Sequence, residues 1–149
     1  RQLHAEGMLI GSHGCSHKYF SDMTHDELND EMSRSRSVLE DLIQAPVETL
    51  SLPGGRNHTA IRTIARQAGY NHVFTSEPRL ARPDSDRLDW PRVPIMNNQR
   101  DDFLPRLLKG DRGPLDAMRR AAKRRGLIKR IMGNRLYDGL RGLVLRLKT

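Results

Sequence analysis

Residues 7–40 read GMLIGSHGCSHKYFSDMTHDELNDEMSRSRSVLE, and the centre of that stretch is Ile10-Gly11-Ser12-His13-Gly14-Cys15-Ser16-His17. Two histidines four apart follow a short apolar run and a pair of glycines. A chain that turns helical just after Gly14 places residues four apart on one face. His13 and His17 then aim two neutral imidazoles at a single divalent ion. Taken alone, such a pair is more often a surface or core feature than a ligand pair. It also falls short of a site, because catalytic zinc takes three protein ligands and keeps a fourth position for water. Cys15 lies between the histidines, but its side chain is expected to project away from their shared face. A small packed side chain is the expectation for it, rather than a third ligand.

Working outward, Met8-Leu9-Ile10 reads as a short buried strand closed by Gly11. Thr24-His25-Asp26-Glu27 has capping-box spacing and opens a helix over residues 25–44. Leu28, Met32, Leu39, Leu42 and Ile43 form its apolar stripe, and Pro46 closes it. Val47, Leu50 and Leu52 suggest a second strand running into Pro53-Gly54-Gly55. A helix over residues 59–68, stopped by Gly69, and a strand over residues 70–75 follow. Strands alternating with helices imply a parallel α/β sheet or barrel.

The run from Gly7 to Glu40 resembles the second motif of the polysaccharide deacetylases, the NodB-homology or carbohydrate esterase family 4 enzymes. In that family a strand ends in Gly-Ser/Asn-His, a second His follows four residues on, and a helix with a Thr/Ser-x-x-Glu box comes next. The resemblance continues through VETLSLPGGRN and AGYNHVFTS to about Val93-Pro94-Ile95. It implies a distorted (β/α) barrel, here partial, with a divalent metal, Zn²⁺ in the first instance, held by His13 and His17. It implies an acetylated carbohydrate as substrate and hydrolysis of a non-peptide carbon–nitrogen bond. Chemistry in such barrels gathers in loops at the strand C-terminal ends.

The later motifs depart from the family pattern. Ser51-Leu52-Pro53-Gly54-Gly55 stands where Arg-x-Pro-aromatic-Gly is usual, so Ser51 replaces the Arg and Gly54 the aromatic. The Gly54 amide remains a candidate oxyanion donor, since a main-chain N–H does not depend on the side chain; a plain Pro-Gly-Gly turn is the other reading. Arg92, in Trp90-Pro91-Arg92-Val93-Pro94-Ile95, is either a replacement orienter of the base or a surface Arg. Asp86-Arg87-Leu88-Asp89-Trp90 spells the fourth motif, Asp-x-x-Asp-Trp, inside a Pro- and Asp-rich segment that reads as a loop. No segment before Gly7 matches the Asp-Asp motif that carries the family's base and a metal ligand. No His follows His72 to serve as catalytic acid, and His58 and His72 read as solvated or helix-capping. The resemblance therefore implies an N-terminally incomplete deacetylase in which activity is impaired. The competing class is a noncatalytic remnant or interaction module.

Charge divides the chain. Residues 106–149 hold 14 Lys and Arg against 3 Asp and Glu, whereas residues 1–105 hold 12 against 15. Residues 1–105 are expected to form the deacetylase-like domain and residues 106–149 a basic amphipathic helical tail, with Gly110-Asp111-Arg112-Gly113-Pro114 as turn chemistry. The apolar residues from Leu115 to Leu147 recur every three or four positions, with breaks expected near Gly126 and Gly133. Such a tail packs on the barrel, docks on a protein partner, lies on an anionic membrane surface or contacts nucleic acid phosphates. Nucleic acid is the least favoured, because Tyr137 is the tail's only aromatic. A single Cys excludes an internal disulfide. Residues 1–7 read like the end of a helix continued from a longer chain. No signal-type segment and no run near eighteen apolar residues occurs.

Overall fold

The computed structural model describes residues 1–55, 59–97 and 99–133. The chain divides into two compact units, Arg1–Pro94 and Ile95–Thr149. The first is an α/β unit. After a short helix α1 (Gln2–Ala5), the principal helix is α2 (His25–Ile43). It starts where the sequence places it, because the Thr24 hydroxyl accepts from the Glu27 amide and the Glu27 carboxylate accepts from the Thr24 amide. It ends on Gln44 in the left-handed conformation, just ahead of Pro46. Leu28 and Met32 are fully buried, and Leu39 and Ile43 pack against the core. Leu42, expected in the stripe, is instead about half exposed. At 100° per residue it stands a full step away from Ile43, and Ser35 fills the inward position between Met32 and Leu39.

Strand β1 (Thr49–Ser51) pairs in parallel with β2 (His72–Phe74), with Leu50 opposite Val73. Helix α3 (Ile61–Gln67) makes the crossover between them and buries Ile61, Ile64 and Ala65. Single parallel bridges extend the sheet on both sides, Ser12 to Leu50 and Phe74 to Trp90. The alternating, parallel organisation therefore stands. A closed barrel is not seen among the described residues, since closure takes about eight strands. The strand expected at Met8-Leu9-Ile10 is also not formed. The Met8 amide turns back to the Leu3 carbonyl and Leu9 is 81% exposed, so only Ser12 reaches β1.

The second unit contains α4 (Phe103–Leu108) and α5 (Gly113–Met132). Between them Gly110 takes φ +82°, Arg106 pairs with Asp111 at 2.7 Å, and the Gly113 amide donates to Asp111. Helix α5 runs through Gly126 without the expected break and stops at Gly133, where φ is +79°. Gly in a helix interior costs only about 1 kcal/mol, which the neighbouring helix formers absorb. The remainder of the expected tail, including Tyr137, lies outside the described residues. No helix among the described residues is long and apolar enough to cross a membrane.

Candidate functional site

Ser12 is the last residue tied to the sheet: its amide donates to Thr49 O at 2.8 Å and its carbonyl accepts from Ser51 N at 2.9 Å. The chain then leaves the sheet as an irregular loop rather than the helix expected after Gly14. Gly14 (φ +80°) and His17 (φ +57°) are both left-handed, which an α-helix does not accommodate. For His17 this conformation costs about 1 kcal/mol. The loop nonetheless brings the two imidazoles together, with ring centroids 5.0 Å apart and planes at 58°.

His13 Nδ1 lies 2.6 Å from the Ser51 carbonyl. A carbonyl only accepts, so Nδ1 donates and Nε2 is the ring nitrogen left to face an ion. Metal-binding histidines are oriented in this way, by a hydrogen bond from the other ring nitrogen to a carbonyl or carboxylate. Ser51, which lacks the guanidinium of the usual motif, thus contributes through its main chain. The donor set fits a divalent ion, but it supplies two protein ligands. No group of three or more His, Cys, Asp or Glu able to hold a metal occurs among the described residues.

Two acidic and hydroxyl partners from α2 escaped the sequence reading. The Glu31 carboxylate accepts from the Cys15 amide at 2.7 Å and from the Ser16 amide at 3.1 and 3.2 Å. Burial raises the Glu31 pKa, but hydrogen bonds from Ser16 and Cys15 and the charge of Lys18 outweigh it, and the net shift is downward. Ser35 is buried, 2.7 Å from Ser12 Oγ, within a polar group completed by Tyr70, whose hydroxyl donates to Met32 O at 2.9 Å. Burial pushes the Tyr70 phenol up. The signal for Ser35 was its position in the apolar stripe of α2; Glu31 carried none. Cys15 is exposed rather than packed, because the loop turns it outward with its Sγ 3.9 Å from Glu31 O. Partial burial and the nearby Glu31 raise its thiol pKa. A cleft of about 550 Å³ borders the loop, lined by His17, Tyr19, Asp22, Glu27, Asp30 and Glu31 among others.

Gly54 lies in the turn Pro53–Gly55, just past the Ser51 carbonyl that holds His13, with φ +60°. A Cβ there would come within 2.6 Å of the Tyr19 ring, so the missing aromatic is explained by close approach of the histidine loop. Arg92 stands at the same C-terminal edge of the sheet. Its Nε donates to Thr75 O at 3.0 Å and its guanidinium lies over Phe74. Its segment follows the Trp90 bridge, three strand spacings or roughly 14 Å from that of Ser12. The Asp86–Trp90 segment is not a plain loop: Arg87–Asp89 forms a 3₁₀ turn and Trp90 bridges β2. Asp89 is buried, and its Oδ2 meets Arg62 at 2.7 Å and Arg79 at 2.8 Å. His72 sits half-buried on β2 and caps no helix; His58 lies outside the described residues.

Residues 1–73 match the family model for polysaccharide deacetylase. In structure the chain is similar to the Streptococcus pyogenes deacetylase PplD, solved in complex with acetate. The TM-score is 0.63 at 21% identity, over 70% of this chain and 46% of that one. It is also similar to a polysaccharide deacetylase from Bacillus cereus, with a TM-score of 0.51 at 21% identity over 61% of this chain and 29% of the other. At that identity the likeness is one of fold, and the chain spans less than half the length of either protein. No curated protein matches it.

Proposed function

We propose that the chain, whose residues 1–73 match the polysaccharide deacetylase family model, carries the histidine side of a metal-dependent hydrolase site acting on acetylated amino sugars. The observation that carries this reading is the imidazole pair 5.0 Å apart, with His13 locked by its Nδ1 bond to the Ser51 carbonyl. In this reading His13 and His17 hold a divalent ion, Zn²⁺ in the first instance. When bound, such an ion polarises an acyl oxygen and lowers the pKa of water to about 7. The Gly54 amide donates to the oxyanion that develops at the acetyl carbon, and Arg92 orients a carboxylate base. Neither that base nor a proton donor for the departing amine is assigned to a residue of this chain, so turnover by the chain alone is expected near background.

The test is zinc calorimetry on the metal-stripped chain and on the His13→Ala, His17→Ala double variant. Micromolar or tighter binding that disappears in the double variant supports the site. Equal heats from the two proteins would remove it.

A second reading, an interaction module, is favoured by α5. Leu127 and Ile131 are 61% and 76% exposed on a helix that also carries Arg119, Arg120, Lys123, Arg124 and Arg125. A basic helix with uncovered aliphatic residues suits an anionic membrane surface or a protein partner. Cosedimentation with vesicles containing phosphatidylserine, compared with a Leu127→Ser, Ile131→Ser variant, checks it; no difference between the two would discard the membrane form.

A further inference from the structure

The histidine loop has no hydrogen-bond ladder of its own, yet three successive amides in it are satisfied. The Gly14 N–H donates to Ser12 Oγ at 3.3 Å, and the Cys15 and Ser16 N–H groups converge on the Glu31 carboxylate. Successive amides turned to one side by left-handed residues form a concavity suited to an anion. Here the anion is a side chain of the neighbouring helix.

The Ser35 hydroxyl lies 2.7 Å from Ser12 Oγ and 3.1 Å from Met32 O, and Ser12 Oγ in turn accepts from the Gly14 amide. Ser35 is buried and Glu31 half-buried, and their spacing of four places both on one face of α2. A side chain at Gly14 is disfavoured in this arrangement, since φ is +80° and a Cβ would come within 2.9 Å of Glu31 Oε2 and 3.2 Å of the Phe20 ring.

We infer that Glu31 and Ser35 are positioning residues: acting through the backbone of residues 12–16, they hold His13 and His17 in the geometry that lets both imidazoles meet one ion. This rests on the metal reading above. An imidazole pair displaced by an ångström or so loses its common focus, and a pair carried by an irregular loop keeps that focus only if the loop is held from outside. Tertiary adhesion between loop and helix alone would leave metal affinity untouched.

The experiment compares the full chain with Glu31→Asp, Glu31→Gln and Ser35→Ala. It measures amide hydrogen exchange without metal and zinc affinity by calorimetry. Glu31→Asp is the decisive variant, because it keeps the charge and shortens the reach by one methylene. The expected result is exchange at Cys15 and Ser16 at least about tenfold faster, α3 amides unchanged as a control for folding, and zinc bound roughly 10- to 100-fold more weakly. The sole thiol, Cys15, adds a second probe: its reaction with a soluble aromatic disulfide is expected to quicken in Glu31→Asp. Wild-type exchange at both amides in Glu31→Asp would overturn the inference, as would faster exchange with unchanged zinc affinity. If the wild-type chain bound no zinc while Glu31→Asp still freed the two amides, the metal reading would fall and the template for the loop would stand.

Discussion

Glu31 and Asp89 are two carboxylates drawn in from solvent in the same α/β unit, and they are partnered in opposite ways, Asp89 through Oδ2 alone. Main-chain amides of the histidine loop surround Glu31, whereas two guanidinium groups, from α3 and from the segment after β2, surround Asp89. Amide donors fix the conformation of the chain that supplies them. Guanidinium donors fix side chains and cancel charge. Glu31 therefore shapes a loop and Asp89 ties elements together, although Asp89 is the residue that matches a catalytic motif letter for letter. What an acid does is read from the partners it has, and spacing in the sequence does not supply those partners.

Asp89→Ala removes the shared partner of Arg62 and Arg79. Breaking a buried pair costs about 3–5 kcal/mol, but Arg62 is half exposed, so screening by solvent reduces the loss to about 2 kcal/mol. Thermal unfolding of the variant measures it, and hydrogen exchange at Cys15 and Ser16 should not move. A variant as stable as wild type would mean that the two arginines find other partners and that Asp89 is not a tie.

Next comes Gly14→Ala. Left-handed φ costs a non-glycine residue about 1–2 kcal/mol, and here the new methyl also meets Glu31 and Phe20. Gly7→Ala is the control, since Gly7 has φ +89° with nothing within 4 Å of the added Cβ. Urea unfolding should place Gly14→Ala below Gly7→Ala, and equal losses would show that the Glu31 contact exerts no constraint on the loop. Ser35→Ala follows at about 1 kcal/mol, the usual cost of a lost hydrogen bond that leaves the buried Ser12 hydroxyl without its Ser35 partner. A neutral result there would mean that Ser12 finds another partner.

Helices α2 and α3 and their order were legible because their signals are local: the Thr24–Glu27 box, the α2 stripe and the stops at Pro46 and Gly69 each act within a turn or two, whereas α4 was not expected. The parallel pairing of β1 with β2 was legible from the alternation of elements. What failed depended on distant chain. Met8-Leu9-Ile10 is apolar enough for a strand, but the Met8 amide turns back to Leu3 of α1 and Leu9 is exposed, so the segment has no sheet partner among the described residues. The nearness of the two histidine rings was legible from spacing, although the helix invoked to join them was wrong; two left-handed residues and an acid fifteen positions away do that work. No spacing rule relates Ser16 to Glu31 or His13 to the carbonyl of Ser51.

Acid titration separates the contribution of Glu31 from those of the other carboxylates. The Glu31 pKa in the folded protein is lowered below the usual carboxylate range, burial being outweighed by the Ser16 and Cys15 hydrogen bonds. A carboxyl held down on folding binds fewer protons in the native than in the unfolded state as pH falls. Its stabilisation is therefore complete above the unfolded value and is lost as pH drops through the folded one. Glu27 and Glu40 are lowered too, by the Thr24 and Val47 amides respectively, so the acid limb of the wild-type curve is shared. The difference between wild type and Glu31→Gln isolates one contribution. Unfolding midpoints measured from about pH 6 down to about pH 3 should show the gap between the two proteins constant at the upper end and closing toward the lower. Parallel curves over that range would mean that the loop amides do not discriminate between the carboxylate and its protonated form. The contrast with Asp89 would then reduce to which chains the two acids touch.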